Sequence, residues 1–419
     1  MFQIETNLNR YPRLAVIADD ITGSFDTGVQ FQKRGAVVQV ALATQLPASL
    51  AGVDVLVIDA ETRHASPGST YGEIYRLSRW TVEMGIPYLY IKTDSGLRGH
   101  VGMALKAALD AVGCNVCAFA PAYPDMDRLT LGGQQMISGV PLSSSVFGQD
   151  LFDPVQGSSI REMVASSGAA VWEFPLDVPY DTTADKPFVA VFDVEENEDF
   201  DRIADHLQAM DQLRLTAGCA AFASRLPRVL GLPDHVQAAP EVSPPLLVVC
   251  GSLNPITKAQ MEYGEGQGHI RCPMTMEQLL DPNYFDLPEG CAWLKQLGEH
   301  MADRQTILLE TNGQIEAGTT VSADEARVCI SRQLGMLMHR LIAMEDTACY
   351  TPMIIGSDTL MSFLDQVSSL DVMLEGEVTP GVVCFSLNAA GRRVRMLSKS
   401  GGFGRETLLR DIVAKQLVS

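Results

Sequence analysis

The chain has 419 residues, of which 46% are hydrophobic and 20% charged, a balance typical of globular proteins with enough apolar material for more than one core. Its 51 acidic and 31 basic side chains give a formal net charge of −20, which argues against nucleic-acid binding because that function needs a basic surface. Acidic lipid surfaces are disfavoured for the same reason, whereas a small anion needs only a local cluster of donors.

Neither membrane insertion nor export is expected. No run approaches the roughly 18 consecutive apolar residues of a membrane span, and the start MFQIETNLNRYPR lacks the basic and apolar regions of a signal peptide. Nine cysteines scattered through apolar runs predict buried thiols in a reducing cytoplasm. Cys114 and Cys117 have CxxC spacing, but no second pair or nearby histidine accompanies them, so buried thiols are the favoured interpretation.

In the first half, short apolar runs alternate with helix-like segments. The runs lack strict polar alternation, which predicts strands buried on both faces of a parallel sheet; they are LAVIAD, VVQVAL, DVLVIDA, PYLYIKT, NVCAFA and PFVAVFDV. Helices are predicted over 24–34, 69–84 and 101–112, so the order is that of βαβ units. Residues 125–165, rich in Gly, Ser and Pro, predict a long irregular connection of the kind that is often functional.

A change in composition predicts a domain boundary. Residues 236–245, VQAAPEVSPP, hold three prolines and no periodicity, which separates a domain over 1–240 from one over 246–419. The strand–loop–helix pattern then restarts with LLVVCGS, TILLET, PMIIGS, VVCFSL and VRMLS, and with helices over 323–344 and about 405–417. The predicted fold class is α/β, with two domains that each hold a mostly parallel sheet flanked by helices and an active site in the cleft between them.

Polar side chains follow the strands of the first domain at their carboxyl ends, where open α/β sheets bind ligands. They follow four of the runs and comprise Asp19 and Asp20; Arg63; Lys92, Thr93, Asp94, Ser95 and Arg98; and, after NVCAFA, Arg128. Acids and hydroxyls suit a polyhydroxylated ligand, and arginine suits a carboxylate or phosphate. The convergence of four strand ends favours a ligand site.

Each of these residues also has a purely structural interpretation. Asp19 or Asp20 could cap the next helix, Lys92 and Asp94 could form a local ion pair, and Arg63 could decorate a solvated loop. Capping, however, needs one side chain per helix and not this many charges. A phosphatase of the haloacid-dehalogenase type is disfavoured because its two catalytic aspartates are separated by one residue, whereas these two are adjacent.

The second domain carries three turns rich in Gly and Ser. Each follows a strand and precedes a predicted helix, in GSLNPIT, GSDT and SGGFG. Helix N-termini offer N–H groups and a positive dipole end to phosphates, and glycine permits the positive φ that anion-binding turns require. None of the three has the spacing of a Walker A or GxGxxG motif, but together they favour a nucleotide site.

Six motifs resemble, in this order, those of the four-carbon acid sugar kinases: VIADDITGSFDTGVQF, KTDSGLRGHVG, APAYPDMDR, CGSLNPITKAQ, IIGSDT and SKSGGFG. The resemblance spans residues 14–405, and its first motif is most similar to the D-threonate kinase branch. It implies an acid-sugar domain followed by a nucleotide domain, and a cytoplasmic enzyme that uses ATP, with Mg²⁺ carried on it and no metal cage built by the protein. The implied acceptor is a hydroxyl of D-threonate, with D-erythronate and 3-oxo-tetronates as alternatives. Besides this small sugar acid no partner is implied, and homo-oligomerisation is left open.

The resemblance also implies roles for individual residues. The acid-sugar site would comprise Asp19, Asp20, Arg63, Lys92, Thr93, Asp94, Ser95 and Arg98, and the nucleotide site Ser252, Gly356, Ser357, Asp358, Thr359, Gly401, Gly402 and Gly404. We expect Asp20 or Asp94 to accept the proton of the reacting hydroxyl and Arg63 or Arg98 to hold the carboxylate.

Three positions depart from the motifs. Gly96 stands where the family usually has Thr, His100 where Asn is common, and Ser357 where a second Gly is typical. The first two bear on substrate identity and the third on nucleotide affinity. Two rival functions remain at this point: a sensor that binds a sugar acid or nucleotide without turnover, and a metal-dependent phosphohydrolase.

Overall fold

The chain divides into two units, Met1–Gln237 and Ala238–Ser419, so the division falls within the proline-rich stretch. The computed structural model describes residues 11–149, 154–176, 179–311, 322–367 and 371–414. In this part of the chain, no helix is both long enough and apolar enough to span a membrane.

The first unit is built on a parallel sheet. Its strands in chain order are β1 (Leu14–Ala18), β2 (Val38–Leu42), β3 (Val55–Asp59), β4 (Tyr88–Lys92), β5 (Val116–Ala120), β6 (Arg128–Leu131), β7 (Gln134–Ile137), β8 (Val140–Pro141), β9 (Val171–Phe174), β10 (Phe188–Phe192) and β11 (Leu215–Gly218). The main sheet has the order β2-β3-β1-β4-β11-β5-β10-β9, with parallel pairing throughout. Every residue of β1, β2, β3, β5 and β10 is buried, which confirms the prediction from their two-sided apolarity.

Helices cover this sheet and connect its strands. They are α1 (Ile21–Gln32), α2 (Pro67–Glu83), α3 (Val101–Val112), α4 (Ile160–Ala165), α5 (Asn197–Ala209), α6 (Ala220–Ala223) and α7 (Pro227–Leu230). Local signals fix their ends: Ser66 caps α2 through the N–H of Ser69, with Pro67 in its first turn, and Gly113 ends α3 in the left-handed conformation.

The connection over 125–165 is more regular than expected. Strands β6, β7 and β8 form a small antiparallel sheet, so the prediction of a wholly irregular segment is wrong in part. Gly132 and Gly133, both with positive φ, make the turn between β6 and β7. The sequence does not show these two strands as apolar runs because they contain polar Thr and Gln residues. Residues 150–153 of this segment lie outside the described part.

The second unit has a mixed sheet. Its strands are β12 (Leu246–Cys250), β13 (Ile270–Met274), β14 (Ile307–Thr311), β15 (Thr351–Ile355), β16 (Val372–Thr379), β17 (Val382–Ala389) and β18 (Arg392–Lys399). The order is β13-β14-β12-β15-β18-β17-β16; pairing is parallel from β13 to β18 and antiparallel between β18, β17 and β16. The predicted α/β class with mostly parallel sheets is therefore confirmed, with an antiparallel edge in the second unit.

The helices of the second unit follow the same alternation. They are α8 (Pro255–Gly266), α9 (Met276–Leu280), α10 (Pro288–Ala302), α11 (Ala323–Ala343), α12 (Ser357–Leu364) and α13 (Leu408–Ala414). The last one begins three residues later than predicted, and residues 415–417 of that prediction lie outside the described part.

Candidate active site

The polar residues of the first unit meet at one edge of its sheet. Strand β1 lies between β3 and β4, and Ala18, its last residue, is in register with Asp59 and with Lys92, the last residues of the neighbouring strands. The segments that follow these strands, with Asp19, Asp20, Arg63 and the 93–98 loop, therefore leave the sheet side by side. The structure thus brings together the predicted acid-sugar residues.

Arg63 forms a double fork with the two aspartates. Its Nε and Nη2 donate to the two carboxylate oxygens of Asp19, both at 2.9 Å, and its Nη1 and Nη2 donate to those of Asp20 at 2.7 and 3.0 Å. The backbone N–H of Arg63 also donates to the carbonyl oxygen of Asp19. Because four of the five N–H groups of this guanidinium are engaged, a bidentate grip on a substrate carboxylate, which we expected from Arg63 or Arg98, is disfavoured for Arg63.

The two adjacent aspartates are placed in different electrostatic situations. Burial raises the pKa of Asp19 above its usual value, despite the opposing charge of Arg63. Burial acts in the same direction on Asp20, but Arg63, Lys92 and hydrogen bonds from Thr22 and the N–H of Gly23 outweigh it, so the pKa of Asp20 is lowered. Asp20 is also the N-cap of α1, which fits the structural interpretation of this residue. The surroundings thus shift the two pKa values in opposite directions, upward for Asp19 and downward for Asp20.

Asp94 is held in its charged form. Its Oδ2 accepts hydrogen bonds from Arg98 Nε at 2.9 Å and from the backbone N–H of Gly96 at 3.2 Å, and its Oδ1 lies 3.7 Å from Arg63 Nη2. Burial opposes ionisation here, but Arg63 and Arg98 outweigh it and place the pKa of Asp94 well below its usual range. A carboxylate with so low a proton affinity orients its neighbours better than it accepts a proton.

Lys92 and Thr93 line a small cavity behind these charges. Lys92 is 7% exposed, and its ammonium is so close to α1 that a Cβ at Gly23 would lie 2.8 Å from Nζ. The hydroxyls of Thr70 and Thr93 are buried without a partner, and both line a cavity of about 20 Å³, which has room for one water molecule. His100, one of the departures, is exposed at the N-cap position of α3 and lines the same cavity.

Sequence reasoning missed the aromatic side of this site. The Phe147 ring lies against Gly96, where a Cβ would stand 2.5–2.8 Å from three of its carbons. The guanidinium carbons of Arg98 and Arg128 lie 5.5 and 5.1 Å from the centre of the ring, and Arg128 Nη1 donates a hydrogen bond to Ser95 Oγ. The glycine in place of Thr was the one signal in the sequence that could have indicated a ring here.

In the second unit, three turns leave the carboxyl ends of adjacent parallel strands. They follow β12, β15 and β18, and they hold Ser252, Gly356–Thr359 and Gly401–Gly404. Asn254 caps α8 through the N–H of Ile256, and Gly356, with φ +116°, is the N-cap residue of α12. These two turns stand at helix N-termini as predicted.

The third turn does not open the last helix. The loop after β18 is instead held by α8: Thr257 Oγ1 donates to the carbonyl of Gly401 at 2.6 Å, and Gln260 Nε2 donates to those of Phe403 and Arg405, both at 3.0 Å. Helix α13 begins only at Leu408. The prediction of three helix N-termini is therefore wrong for this turn, which instead packs on the first turns of α8.

The predicted nucleotide residues differ in how tightly they are packed. A Cβ at Gly401 would collide with Ser252 Oγ, whereas at Gly402 it would meet only Asn254 Nδ2, at 3.7 Å. Gly404 needs its glycine because φ is +84°. Asp358 is exposed and paired with Arg327 at 2.7 Å.

Two residues of the turn over 356–359 show why it has this sequence. Thr359 is buried, with its Oγ1 where a Cβ of Gly251 would stand. Gly356 takes the positive φ in this turn, and Ser357 does not, so a serine fits at the position where the family has a second glycine.

Lys399, which sequence reasoning did not single out, lies beneath the 400–404 loop. Its side chain is 1% exposed, and Nζ donates to the carbonyls of Ser400 and Gly401 at 3.0 and 3.1 Å and to Thr257 Oγ1 at 3.3 Å. Burial lowers the pKa of Lys399 to about 8. In the sequence Lys399 simply follows the predicted strand VRMLS, which gave no sign of this role.

Comparison with known proteins matches each of the two units to a known domain family. Residues 14–226 match the family model of a sugar-binding N-terminal domain, and residues 247–409 that of a nucleotide-binding C-terminal domain. The chain is 29% identical to the D-threonate kinase of Salmonella typhimurium, over 95% of this chain and 97% of that protein. It is also 29% identical to the D-threonate kinase of Bordetella bronchiseptica, over 95% and 96%. A solved structure of a Haemophilus influenzae protein superposes with a TM-score of 0.71 at 18% identity, over 96% and 99% of the two chains, which supports the fold.

Proposed function

Because the chain belongs to the four-carbon acid sugar kinase family, we propose that it transfers the γ-phosphoryl group of ATP to a hydroxyl of a four-carbon sugar acid, with D-threonate as the first candidate. Two of its relatives are D-threonate kinases at 29% identity, and a third, at 25%, is the D-erythronate kinase of Heliobacterium modesticaldum. D-Erythronate and 3-oxo-tetronate are the alternative acceptors.

One observation carries the proposal. Each unit places its motif residues at the carboxyl ends of adjacent parallel strands, with carboxylates and arginines in the first unit and glycine–serine turns in the second. The first set suits a polyhydroxylated acid. The second offers backbone N–H groups to phosphates. Phosphoryl transfer asks a protein mainly for positioning and charge stabilisation, and this is the chemistry that the two sets supply.

Asp19 is the proton acceptor that the electrostatics favour. Burial raises its pKa while the pKa values of Asp20 and Asp94 are lowered, and a general base works best when its pKa approaches the working pH. Arg63 would then act as a positioning residue that fixes the carboxylate of Asp19. The expectation that Asp20 or Asp94 accepts the proton stays a prediction, to be compared with this one.

ATP would bring Mg²⁺ with it as part of the substrate. Within the described residues, no group of three or more His, Cys, Asp or Glu side chains is arranged to hold a metal ion. Mg²⁺ commonly keeps several waters and is held by substrate phosphates with one or two carboxylates. In the second unit the turns at Ser252, Gly356 and Gly402 would bind the phosphates through backbone N–H groups.

The departures at Gly96 and Ser357 do not favour a non-catalytic sensor. Phe147 fills the space beside Gly96, and the positive φ in the turn before α12 falls on Gly356 and not on Ser357. Both departures therefore have a structural reason that leaves the remaining motif residues in place.

Release of ADP in the presence of a panel of four-carbon compounds tests the proposal. We expect release with D-threonate to exceed that with L-threonate, D-erythronate and 3-oxo-tetronate, and to depend on added Mg²⁺. D-Threitol, which lacks the carboxylate, is the matched control. ADP release that is equal with and without any sugar acid would contradict the kinase assignment. Release of inorganic phosphate from a phosphorylated four-carbon acid, supplied in place of ATP, would indicate a phosphohydrolase.

A further inference from the structure

Arg128 is an arginine of the acid-sugar site that forms no ion pair within the described part of the chain, although the charge of Asp94 acts on it from a greater distance. It lies at the start of β6, donates from Nη1 to Ser95 Oγ, and has its guanidinium carbon 5.1 Å from the centre of the Phe147 ring. Among the described residues, no carboxylate lies within ion-pair distance of it. The side chain is only partly exposed, and burial lowers the pKa of Arg128.

The other two arginines of the site are already engaged. Arg63 is held by Asp19 and Asp20, and Arg98 by Asp94, through Nε at 2.9 Å and Nη2 at 3.2 Å. A guanidinium removed from water without a counter-ion is costly, and an anion that enters beside it offsets that cost. Of the three arginines, Arg128 is therefore the one whose charge a carboxylate ligand would stabilise most.

Phe147 controls where this guanidinium stands. Its ring occupies the space over Gly96, which any side chain at residue 96 would enter, and its backbone N–H donates to Ser145 Oγ at 3.2 Å. A cation over an aromatic face is attracted by the negative charge density of the ring. With Gly in place of the usual Thr at position 96, the site lacks one hydroxyl, and the Phe147 ring that contacts Arg128 takes its place.

We propose that Arg128 binds the carboxylate of the sugar acid, and that Phe147, seated over Gly96, is the residue that positions it. This inference rests on the proposed function, because it names the group of that substrate which Arg128 recognises. It makes this chain select acids over polyols through a residue pair that depends on glycine at position 96.

Arg128→Met and Arg128→Gln test the role of the guanidinium. A hydrogen bond to a charged group corresponds to about 10- to 150-fold in affinity, so we expect the KM for D-threonate to rise by that order while the KM for ATP stays the same. The preference for D-threonate over D-threitol should fall by a similar factor. Arg214→Met is the matched control, since Arg214 lies at the opposite end of the sheet, before β11, and donates to the carbonyl of Pro87; it should behave as the unmodified enzyme.

A double-mutant cycle tests the positioning residue. Gly96→Thr should displace the ring and raise the KM for D-threonate several-fold with a smaller change in kcat, and Phe147→Ala should do the same. In the Phe147→Ala variant, the added Gly96→Thr substitution should raise the KM for D-threonate little further, because the ring that threonine would displace is already absent. If the increase in KM of the double variant equals the product of the increases in the two single variants, the positioning role of Phe147 is overturned. Melting temperatures of all variants identify any that fail to fold.

Calorimetry of D-threonate binding separates failure of this inference from failure of the proposed function. If the unmodified enzyme releases ADP with D-threonate, and both Arg128 variants keep the preference for acid over polyol, the inference is overturned and the kinase assignment stands. If the unmodified enzyme binds D-threonate without ADP release, the kinase assignment fails, and the loss or retention of binding in Arg128→Met still decides the inference. If no four-carbon acid binds, both are overturned.

Discussion

At the scale of single residues, neighbouring groups in one cluster differ mainly in what their oxygens and nitrogens already bind. Asp20 accepts hydrogen bonds from Thr22, the N–H of Gly23 and Arg63, whereas the side-chain oxygens of Asp19, as far as the structure describes the chain, accept only from Arg63. In the sequence the two residues are simply adjacent aspartates. Their different hydrogen-bond partners cannot be read from it, because these partners depend on which strand ends lie side by side in the sheet. Hydrogen-bond partners therefore change the expected roles that the motif alone implies.

Asp19→Asn is expected to lower kcat by about 10²- to 10⁴-fold, the usual contribution of a general base, with a smaller change in the KM for the sugar acid. In the unmodified enzyme kcat should fall as the pH is lowered through the pKa of Asp19, since a protonated carboxyl cannot accept the proton; burial places that pKa above the usual value. Asp20→Asn and Asp94→Asn are the comparison variants. A larger loss of kcat at unchanged KM in either of them would assign the base to that residue.

Lys399 predicts a pH dependence of nucleotide binding. Burial lowers the pKa of Lys399 to about 8, so its charge is present below pH 8 and lost above it. We expect the affinity for ATP, measured by calorimetry, to fall between pH 7 and pH 9, and Lys399→Met to bind more weakly at pH 7 and to lack this dependence. Lys295→Met, on the exposed surface of α10, is the matched control.

Deprotonation of Lys399 would not itself cause such a loss by unfolding the chain. The pKa of Lys399 is depressed on folding, so between about 8 and its ordinary value the unfolded chain binds more protons than the folded one. The contribution of this group to the free energy of unfolding therefore rises with pH over that window. ATP binding that is unchanged from pH 7 to pH 9 would contradict a role of this charge beside the phosphates.

At the scale of elements, the glycines of the 400–404 loop differ in how much space a side chain would have at each position. Gly402→Val should leave the melting temperature nearly unchanged, because the Cβ would meet only Asn254 Nδ2, at an ordinary contact distance of 3.7 Å. It should raise the KM for ATP by blocking the approach of a phosphate to the backbone. The KM for the sugar acid, whose site is on the other unit, should not change.

Gly401→Ala is the matched comparison for that variant. Its Cβ would collide with Ser252 Oγ, so it should lower the melting temperature as well as the affinity for ATP. Normal ATP binding by Gly402→Val in calorimetry would remove this loop from the nucleotide site.

The sequence predicts best those elements that are buried on both faces. The uniformly apolar runs of β1, β3 and β12 are visible without the structure, whereas β16, in which buried and partly exposed residues alternate, is not. β11 is an exception: all four of its residues are buried, but the strand is short and includes Thr216 and Gly218, so its sequence does not read as an apolar run. No pattern in its own segment indicates Phe147, because that segment is rich in Gly and Ser and lacks the periodicity of a helix or strand. Its position is fixed by tertiary contact with Gly96, about fifty residues earlier in the chain.

At the scale of the whole molecule, the charge opposes the substrates. The chain carries a formal net charge of −20, while both a sugar acid and ATP are anions, so binding has to rely on local groups such as Arg128, Lys92 and the helix N-termini. At about 10 mM salt the Debye length is about 30 Å, and at 150 mM it is about 8 Å. Distant acidic side chains therefore act on an approaching anion only at low ionic strength.

Raising the ionic strength from 10 to 150 mM at saturating ATP should increase kcat/KM for D-threonate by about two- to fivefold, because screening removes long-range repulsion more than it weakens contacts within a few ångströms. The same change with D-threitol, which has no charge, should leave kcat/KM unaltered and serves as the control. Arg128→Met should show a larger relative gain, since the local attraction that opposes the repulsion is missing. A decrease of kcat/KM with salt for D-threonate alone would mean that the local arginines, and not the net charge, set the potential that the substrate meets as it approaches.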